Sequence, residues 1–274
     1  MSIGISSNRS AGFIHQITRG NSDLQVQLQQ LSTGRRIPTA AIDPAALGVV
    51  VELETVSAST RMGVRNANAG LSMLQTADGA AGSITDSLQR MRELAVQSAS
   101  GTLSADQRAA INTEFQQLSD EIGRQARGTE FNGQPLTDGS AASIDAQVGT
   151  DGTASSRVNV GVGDLTDTGL GIDTLSVGTQ AGAQGALDAI DAALDTVNQE
   201  RSGLGASFSR LESSIRFGEE SAMQKDAAAA RIMDADFAAL VSEQASSEIR
   251  QQASVAALAQ SQNIQRSSVM GLLS

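Results

Sequence analysis

Residues 187–215 read LDAIDAALDTVNQERSGLGASFSRLESSI. Apolar residues recur in this stretch at alternating steps of three and four, which places them in one row along a helix. The members of this row, the C-terminal seam, are Leu187, Ile190, Leu194, Val197, Leu204, Phe208, Leu211 and Ile215, with Arg201 at the one polar position. A row of this length predicts a helix that packs lengthwise against another helix.

The first half of the chain carries a matching row. Its members are Leu53, Val56, Thr60, Gly63, Ala67, Gly70, Leu74, Ala77, Ala81, Ile84, Leu88, Met91 and Ala95. Asp43 and Pro44 predict where this helix starts, as the N-cap and the first helical residue. A helix from Pro44 to about Ser100 would be roughly 80 Å long. We therefore expect the chain to run out along one long helix and to return along another.

The two ends of the chain predict shorter helical segments. After a polar arm, Met1–Ala11, an N-terminal seam of apolar residues surrounds one polar member, Asn21, and Gly34 ends the helix. This N-terminal seam consists of Ile14, Ile17, Leu24, Leu28 and Leu31. A break near Gly218 precedes a last helix from Met223 to Leu272. Its looser apolar row is Phe237, Val241, Ala245, Ile249, Ala253, Val255 and Leu258.

The middle of the chain has a different character. Ser104 and Gln107 fit a capping box, which opens a helix with Ile111, Phe115, Leu118 and Ile122 on one face. Residues 128–180 are rich in Gly, Thr, Ser and Asp. Within them, Ile144, Ala146, Val148 and then Val158, Val160, Val162 alternate with period two, which predicts a hairpin around Asp151.

The predicted fold is mainly α: a long antiparallel helical hairpin or coiled-coil bundle with a small β-hairpin region in the middle of the chain. We expect three parts. Residues 1–43 form an arm and linker, residues 44–222 form a helical domain that includes the β-rich tip 128–180, and residues 223–274 form a terminal helix.

Composition excludes several functions. The chain has no cysteine, and its net charge is −11 without any basic cluster, so disulfides, thiolate metal sites and nucleic acid are not expected. No run of about 18 apolar residues is present, so no membrane span is expected. His15 is the single histidine and lacks partners for catalysis or metal binding. We expect no enzyme and no cofactor.

Several strings at both ends are similar to those of bacterial flagellin. They are Gln30–Ile37 (QLSTGRRI, family RLSSGxRI), Arg65–Gly70 (RNANAG, family RNANDG), Leu88–Ala99 (LQRMRELAVQSA, family LQRVRELAVQSA) and Ala230–Ala238 (ARIMDADFA, family SRIEDADYA). Two departures are Ile42, where the family has Asp, and Ser261–Gln265, which lacks the family's usual proline.

The resemblance implies a subunit that polymerises into the flagellar filament and serves motility. We expect the residues of the N-terminal and C-terminal seams to form the assembly seam of this polymer. It implies an inner core built from residues 1–43 and 223–274 and an outer core built from 44–222. Implied partners are other copies, an export chaperone at the C-terminal helix, hook-associated junction and cap proteins, and a host innate receptor that contacts Arg90, Leu94 and Glu114. The protein would be secreted through the flagellar type III channel without a cleaved signal peptide.

Two other functions remain open from the sequence. A hook–filament junction protein shares both terminal patterns but does not form long filaments. A coiled-coil scaffold would form a closed dimer or trimer and would lack the paired strings at the two ends.

Overall fold

Helices account for 74% of the chain in the computed structural model, which describes residues 3–140 and 143–273. In the described residues the helices are α1 (Ile3–Thr33), α2 (Pro44–Ser98), α3 (Ala105–Gly128), α4 (Gln180–Met233) and α5 (Phe237–Leu273). The strands are β1 (Glu130–Phe131), β2 (Gln134–Pro135), β3 (Ile144–Gln147) and β4 (Arg157–Val160). The predicted mainly α class, with a small β region in the middle, is confirmed.

The chain divides into two compact units. The terminal unit comprises Met1–Thr55 together with Gln224–Ser274, and the central unit comprises Val56–Met223. The terminal unit therefore joins the two ends of the chain, and it includes the beginning of α2 and the end of α4. How these units correspond to layers of a filament stays a prediction.

In the central unit, α2 and α4 run antiparallel. Arg201 on α4 pairs with Asp78 on α2, and Arg92 on α2 pairs with Asp191 on α4, so later residues of one helix meet earlier residues of the other. Large side chains from both helices are fully buried between them, and α3 adds Phe115 to this core. The buried side chains of α2 and α4 include Leu74, Ile84, Leu88, Met91, Ile190 and Leu211.

The C-terminal seam is covered within the chain. Every seventh residue is at most 3% exposed, namely Ile190, Val197, Leu204 and Leu211. The residues between them, Leu187, Leu194, Phe208 and Ile215, are partly buried against the same core. A heptad row facing a neighbouring helix produces this alternation. The seam thus packs α4 against the core of its own subunit. Its predicted part in assembly stays a prediction.

Arg201, the polar member of that seam, lies at its edge. Its Nε donates to Asp78 Oδ1 at 2.8 Å, and both side chains remain partly exposed. The hydrogen bond to Asp78, assisted by the charge of that carboxylate, raises the pKa of the Arg201 guanidinium above its ordinary value. The charged head thereby stays at the surface of the helix pair.

Helix ends follow the predicted chemistry at three places. The backbone N–H of Ala46 donates to the Asp43 carboxylate at 2.9 Å, so Asp43 caps α2 in front of Pro44. Ser104 and Gln107 form both hydrogen bonds of a capping box at the start of α3. Gly34 ends α1 with a φ of +67°, a left-handed conformation that glycine adopts without strain.

Arg108 fixes the turn between α2 and α3. Its guanidinium donates to the carbonyl oxygens of Ser98 at 3.0 Å, Ser100 at 2.8 Å and Leu103 at 2.8 Å. The last carbonyl groups of a helix lack hydrogen-bond donors within the helix, and they carry a partial negative charge. The guanidinium of Arg108 supplies both the missing donors and a compensating positive charge.

The predicted break near Gly218 is wrong. The helix α4 continues to Met233, and the chain breaks only before α5, where the Asp236 carboxylate accepts the N–H groups of Ala238 and Ala239. A Cβ at position 218 would lie 2.7 Å from Cγ2 of Val64. Glycine is therefore required there by the close approach of α2 and α4, and not by a helix end.

The first helix begins earlier than expected. We expected a polar arm over Met1–Ala11, but α1 starts at Ile3. Met1 and Ser2 lie outside the described residues.

The β region contains two hairpins, of which the sequence predicted one. Strands β3 and β4 pair antiparallel, with Ile144 opposite Val160, as expected. The smaller hairpin of β1 and β2 turns at Asn132 and Gly133, with φ values of 53° and 75°. Both residues are left-handed, which an Asn-Gly pair favours in a two-residue turn.

The larger hairpin lies against α2. Nδ2 of Asn66 donates to the carbonyl oxygen of Gln147 at 3.1 Å. A Cβ built at Gly63 would lie only 2.2 Å from the carbonyl oxygen of Val148. The backbone of the hairpin therefore rests directly on the backbone of α2 at Gly63.

Candidate assembly surface

The helices α1 and α5 form an antiparallel pair in the terminal unit. Nε2 of Gln27 donates to Oγ of Ser247 at 3.3 Å, and Asn21 accepts a hydrogen bond from Gln251. The rows that face each other are Ile17, Gly20, Leu24, Gln27 and Leu31 on α1, and Leu240, Gln244, Ser247, Gln251, Ser254 and Leu258 on α5. The middle of this interface is polar, and in it only Gln27 and Ser247 are buried. The pair thus covers little of its own apolar surface.

Two of the five residues of the predicted N-terminal seam do not face α5. Ile17, Leu24 and Leu31 are partly buried, whereas Ile14 is 55% exposed and Leu28 is 50% exposed. The seam steps between two neighbouring rows of the helix, and the sequence does not reveal which of them meets a partner. Asn21, which we expected within the seam, lies on the exposed row, although its side chain reaches Gln251.

The predicted row on α5 is also mostly exposed. Val241 is 53% exposed, Ile249 is 67% exposed and Val255 is 49% exposed, and Leu258 is partly buried. Phe237 is 53% exposed, and its ring lies beside Gly34. The terminal unit therefore presents large apolar side chains that the fold does not cover.

The segment that follows α1, which we expected to be a linker, ties α1 to the end of α4. The guanidinium of Arg36 donates to the carbonyl oxygen of Ile232 through Nε at 3.1 Å and Nη2 at 2.7 Å. The backbone N–H of Arg36 donates to the carbonyl oxygen of Met233 at 2.6 Å. Ile37 is 1% exposed and belongs to a small core with Val50, Ala229 and Met233.

The three residues that the resemblance linked to a receptor differ in accessibility. Arg90 bonds Oε1 of Glu114 through Nε at 3.1 Å and Nη2 at 2.8 Å, and it also pairs with Glu93. The hydrogen bonds to Glu114 and Glu93 raise the pKa of Arg90. Arg90 and Glu114 are about half exposed, but Leu94 is 2% exposed within the core of the central unit. The side chain of Leu94 is therefore not part of the exposed surface.

Two features are absent from the described part of the chain. Among residues 3–140 and 143–273, no three His, Cys, Asp or Glu side chains come together as metal ligands. Within the same ranges, no helix combines the length and hydropathy that a membrane crossing requires.

Paired terminal helices with uncovered apolar rows, joined to a long helical bundle, define a structural protein built for assembly. Residues 5–142 match the family profile described as the bacterial flagellin N-terminal helical region, and residues 187–273 match the flagellin C-terminal helical region. The chain belongs to the bacterial flagellin family, and it is a structural subunit of the flagellar filament.

Relatives with long alignments have the same size as this chain. It is 37% identical over 249 residues to a flagellin of Halalkalibacterium halodurans, with 91% of each chain covered. It is 31% identical over 284 residues to the flagellar filament 30.7 kDa core protein of Treponema maltophilum, with 98% of this chain and 99% of that protein covered. The structure of a putative flagellar hook-associated protein from Vibrio parahaemolyticus has a TM-score of 0.58 and 17% identity, covers 70% of this chain and 100% of that one, and shares the fold alone.

Proposed function

We propose that copies of this protein polymerise into the filament through the outward faces of α1 and α5. The observation that carries this proposal is the exposure of Ile14, Leu28, Val241, Ile249 and Val255, each about half exposed or more. Burial of apolar surface contributes roughly 25 cal/mol per Å², so covering these side chains favours association. Clustered exposed apolar side chains of this kind mark interaction sites in soluble proteins.

The charge distribution supports the same surface. The whole chain carries a net charge of −11, so copies repel each other in general. In contrast, α1 contains two Arg and one Asp, and α5 contains two Glu and two Arg, so the two helices together are almost uncharged. Contact through these helices brings copies together where repulsion is smallest.

The polymer forms by a repeated contact between unlike surfaces, because a contact of that kind does not close and gives a helical tube. Residues 1–43 and 223–274 form the inner layer of this tube, and residues 44–222 form the outer layer. The role is mechanical and not catalytic: the filament transmits motion, and the apolar contacts hold its subunits in register.

Further partners follow from the family. The subunit leaves the cell through the flagellar type III channel, and an export chaperone holds the outward face of α5 until assembly. Hook-associated junction and cap proteins contact the two ends of the filament. A host innate receptor contacts the exposed pair Arg90 and Glu114; Leu94 contributes by supporting α2 from within.

Polymerisation tests the proposal directly. Purified protein that is salted out or seeded should form long tubes, observed by electron microscopy. A variant that lacks residues 1–34 should remain unpolymerised, and circular dichroism should show that the helices of 44–217 are retained. Small oligomers of uniform size under all such conditions would contradict the filament and would favour a junction protein or scaffold.

A further inference from the structure

The break between α4 and α5 contains no residue that forces a helix to stop. It occupies only residues 234–236, and residues 219–270 include neither Gly nor Pro, the two residues least favourable in a helix interior. Apolar residues continue across the break in steps of four, namely Ala229, Met233, Phe237 and Val241. The sequence is therefore compatible with one continuous helix through this point.

Arg36 occupies the helical acceptors at the end of α4. In a continuous helix, the carbonyl oxygens of Ile232 and Met233 would accept the N–H groups of the residues four positions later. Instead, Ile232 accepts hydrogen bonds from Nε and Nη2 of Arg36 at 3.1 and 2.7 Å, and Met233 accepts one from the backbone N–H of Arg36 at 2.6 Å. Within the described residues, the N–H groups of Asp236 and Phe237, which a helix would place there, donate no hydrogen bond.

The residues before Arg36 complete this substitution. The backbone N–H of Ala235, which a continuous helix would direct to Arg231, donates to the carbonyl oxygen of Gly34 at 3.1 Å. Beside it, Arg35 and Asp234 form an isolated antiparallel bridge. Two carbonyl groups and one N–H group that a helix would satisfy are thus satisfied by the chain that follows α1.

This segment is itself held by α1. Nε2 of Gln30, in the last turn of α1, donates to the carbonyl oxygen of Arg36 at 2.7 Å. The left-handed Gly34 lies beside the ring of Phe237, whose Cε2 is 3.6 Å from a Cβ built at Gly34. Folded α1 therefore positions Arg36 against the end of α4.

The separate and the joined arrangement of α4 and α5 exchange hydrogen bonds almost one for one. Joining the helices would replace the bonds made by Gly34 and Arg36 with helical bonds. It would also release the Asp236 carboxylate, which accepts the N–H groups of Ala238 and Ala239 in the separate arrangement. Because the exchange is nearly even, the contact with residues 34–36 decides between the two arrangements.

We propose that the break between α4 and α5 is a conformational switch controlled by α1. With Arg36 in place, the two helices are separate. When α1 unfolds and releases Arg36, the end of α4 and the start of α5 join in one continuous helix. The switch operates within a single subunit, so it goes beyond the proposed function and does not depend on polymerisation.

Hydrogen exchange in the monomeric full chain tests the switch. The double variant Gln30→Ala, Arg36→Ala removes the guanidinium from Ile232 and the bond that holds the Arg36 backbone. In it, the protection factor of the Asp236 amide should rise at least about tenfold, because this amide gains a helical acceptor. The matched control Gln29→Ala, Arg35→Ala makes the same changes one position earlier, at exposed side chains, and should leave the protection factor unchanged.

Phe237→Pro keeps the helices separate. Proline suits the first position of a helix, where Phe237 lies without an acceptor for its N–H, but it cannot continue a helix. Adding Phe237→Pro to the double variant should therefore return the protection factor of Asp236 to that of the unaltered chain.

A second variant leaves the contacts of Arg36 intact. Asp236→Ala removes the cap of α5, so the protection factor of the Phe237 amide should rise at least about twofold. An unchanged protection factor at Phe237 in this variant would overturn the switch, as would an unchanged protection factor at Asp236 in the double variant. Loss of protection along the whole of α5 in the double variant would also overturn it, because release of Arg36 would then unfold α5 instead of joining it to α4.

Discussion

Glycines along α2 provide a sharp test of how the β3–β4 hairpin is seated. A helical glycine replaced by alanine gains about 0.5–1 kcal/mol of stability when the new methyl group meets nothing. Gly79 has no atom within 4 Å of its built Cβ, so Gly79→Ala should show this gain. At Gly63 the same methyl group would lie 2.2 Å from the carbonyl oxygen of Val148.

At Gly63 the backbone of the hairpin has to move, since an ordinary C···O contact is about 3.3–3.6 Å. Forcing a group into a packed contact costs about 1–3 kcal/mol, and loss of the Asn66 hydrogen bond to Gln147 adds about 1 kcal/mol. After subtraction of the helix gain, Gly63→Ala should destabilise the monomer by about 1–3 kcal/mol. The two variants should therefore differ by about 2–4 kcal/mol.

Urea unfolding of monomeric protein, followed by circular dichroism, measures this difference, and hydrogen exchange at Val148 reports on the hairpin itself. Gly70→Ala is the intermediate control, because its methyl group would meet the flexible Leu211 side chain at 3.1 Å, and should change stability by less than about 1 kcal/mol. If Gly63→Ala were as stable as Gly79→Ala, the contact between the hairpin and α2 would be refuted.

Three further predictions use the same monomer assay. Leu211 is fully buried, so Leu211→Ala should lower the free energy of unfolding by about 2–5 kcal/mol. Phe217 is 75% exposed, so Phe217→Ala should change it by less than about 0.5 kcal/mol. Similar losses in the two variants would contradict the burial of the C-terminal seam. Arg108→Ala should destabilise by about 2 kcal/mol because three carbonyls near the end of α2 lose a charged donor, and Arg108→Lys should recover only part; exchange rates of amides at the α2–α3 turn check this. The hydrogen bonds from Arg124 and then Gln125 lower the pKa of Glu121 to about 2. Because the pKa of Glu121 is lowered, its ionised carboxylate contributes stability at pH values above the ordinary pKa near 4.5, and this contribution is lost as the pH falls towards 2. The small difference in stability between the unaltered chain and Glu121→Gln should therefore shrink between pH 4.5 and 2. A difference that stays constant over this interval would argue against the ion pair of Glu121 and Arg124.

The elements with local chemical signals were predictable. Asp43 with Pro44, and Ser104 with Gln107, define helix starts through hydrogen bonds made by their own side chains, so no distant partner is needed. The burial of the two long heptad rows was also predictable, because an apolar row of that length indicates that the helix packs against another helix. The alternation around Asp151 predicted the larger hairpin for the same local reason.

The remaining features depend on partners distant in the chain. Gly218 resembles a helix end in sequence, and only the position of Val64 explains it. The local signal for the true break is Asp236, an N-cap whose carboxylate accepts the backbone N–H groups at the start of α5. The smaller hairpin has strands of two residues, too short for a period to be recognised.

The candidate site was predictable in composition but not in orientation. The sequence identified apolar rows on both terminal helices. It could not show that Leu28 faces outward while Leu24 faces α5, because adjacent helical rows both satisfy steps of three and four. Likewise, the resemblance implied a receptor contact at Arg90, Leu94 and Glu114, but the burial of Leu94 follows from packing against the core.

The hydrogen bonds between Arg36 and Ile232 join residues 196 positions apart, and Gln27 and Ser247 are 220 positions apart. During synthesis the ribosome completes the partners of α1 last, so a nascent chain has nothing with which to close the terminal unit. The entropic cost of closing a loop rises only slowly with its length, so the separation of these residues along the chain adds little to the cost of folding. The delay until α5 is synthesised has the larger effect on when the terminal unit can fold. A chain truncated before Ile232 lacks α5, so α1 has no helix with which to pair. The hydrogen bonds of Arg36 to Ile232 and Met233 therefore form only after the end of α4 has been synthesised.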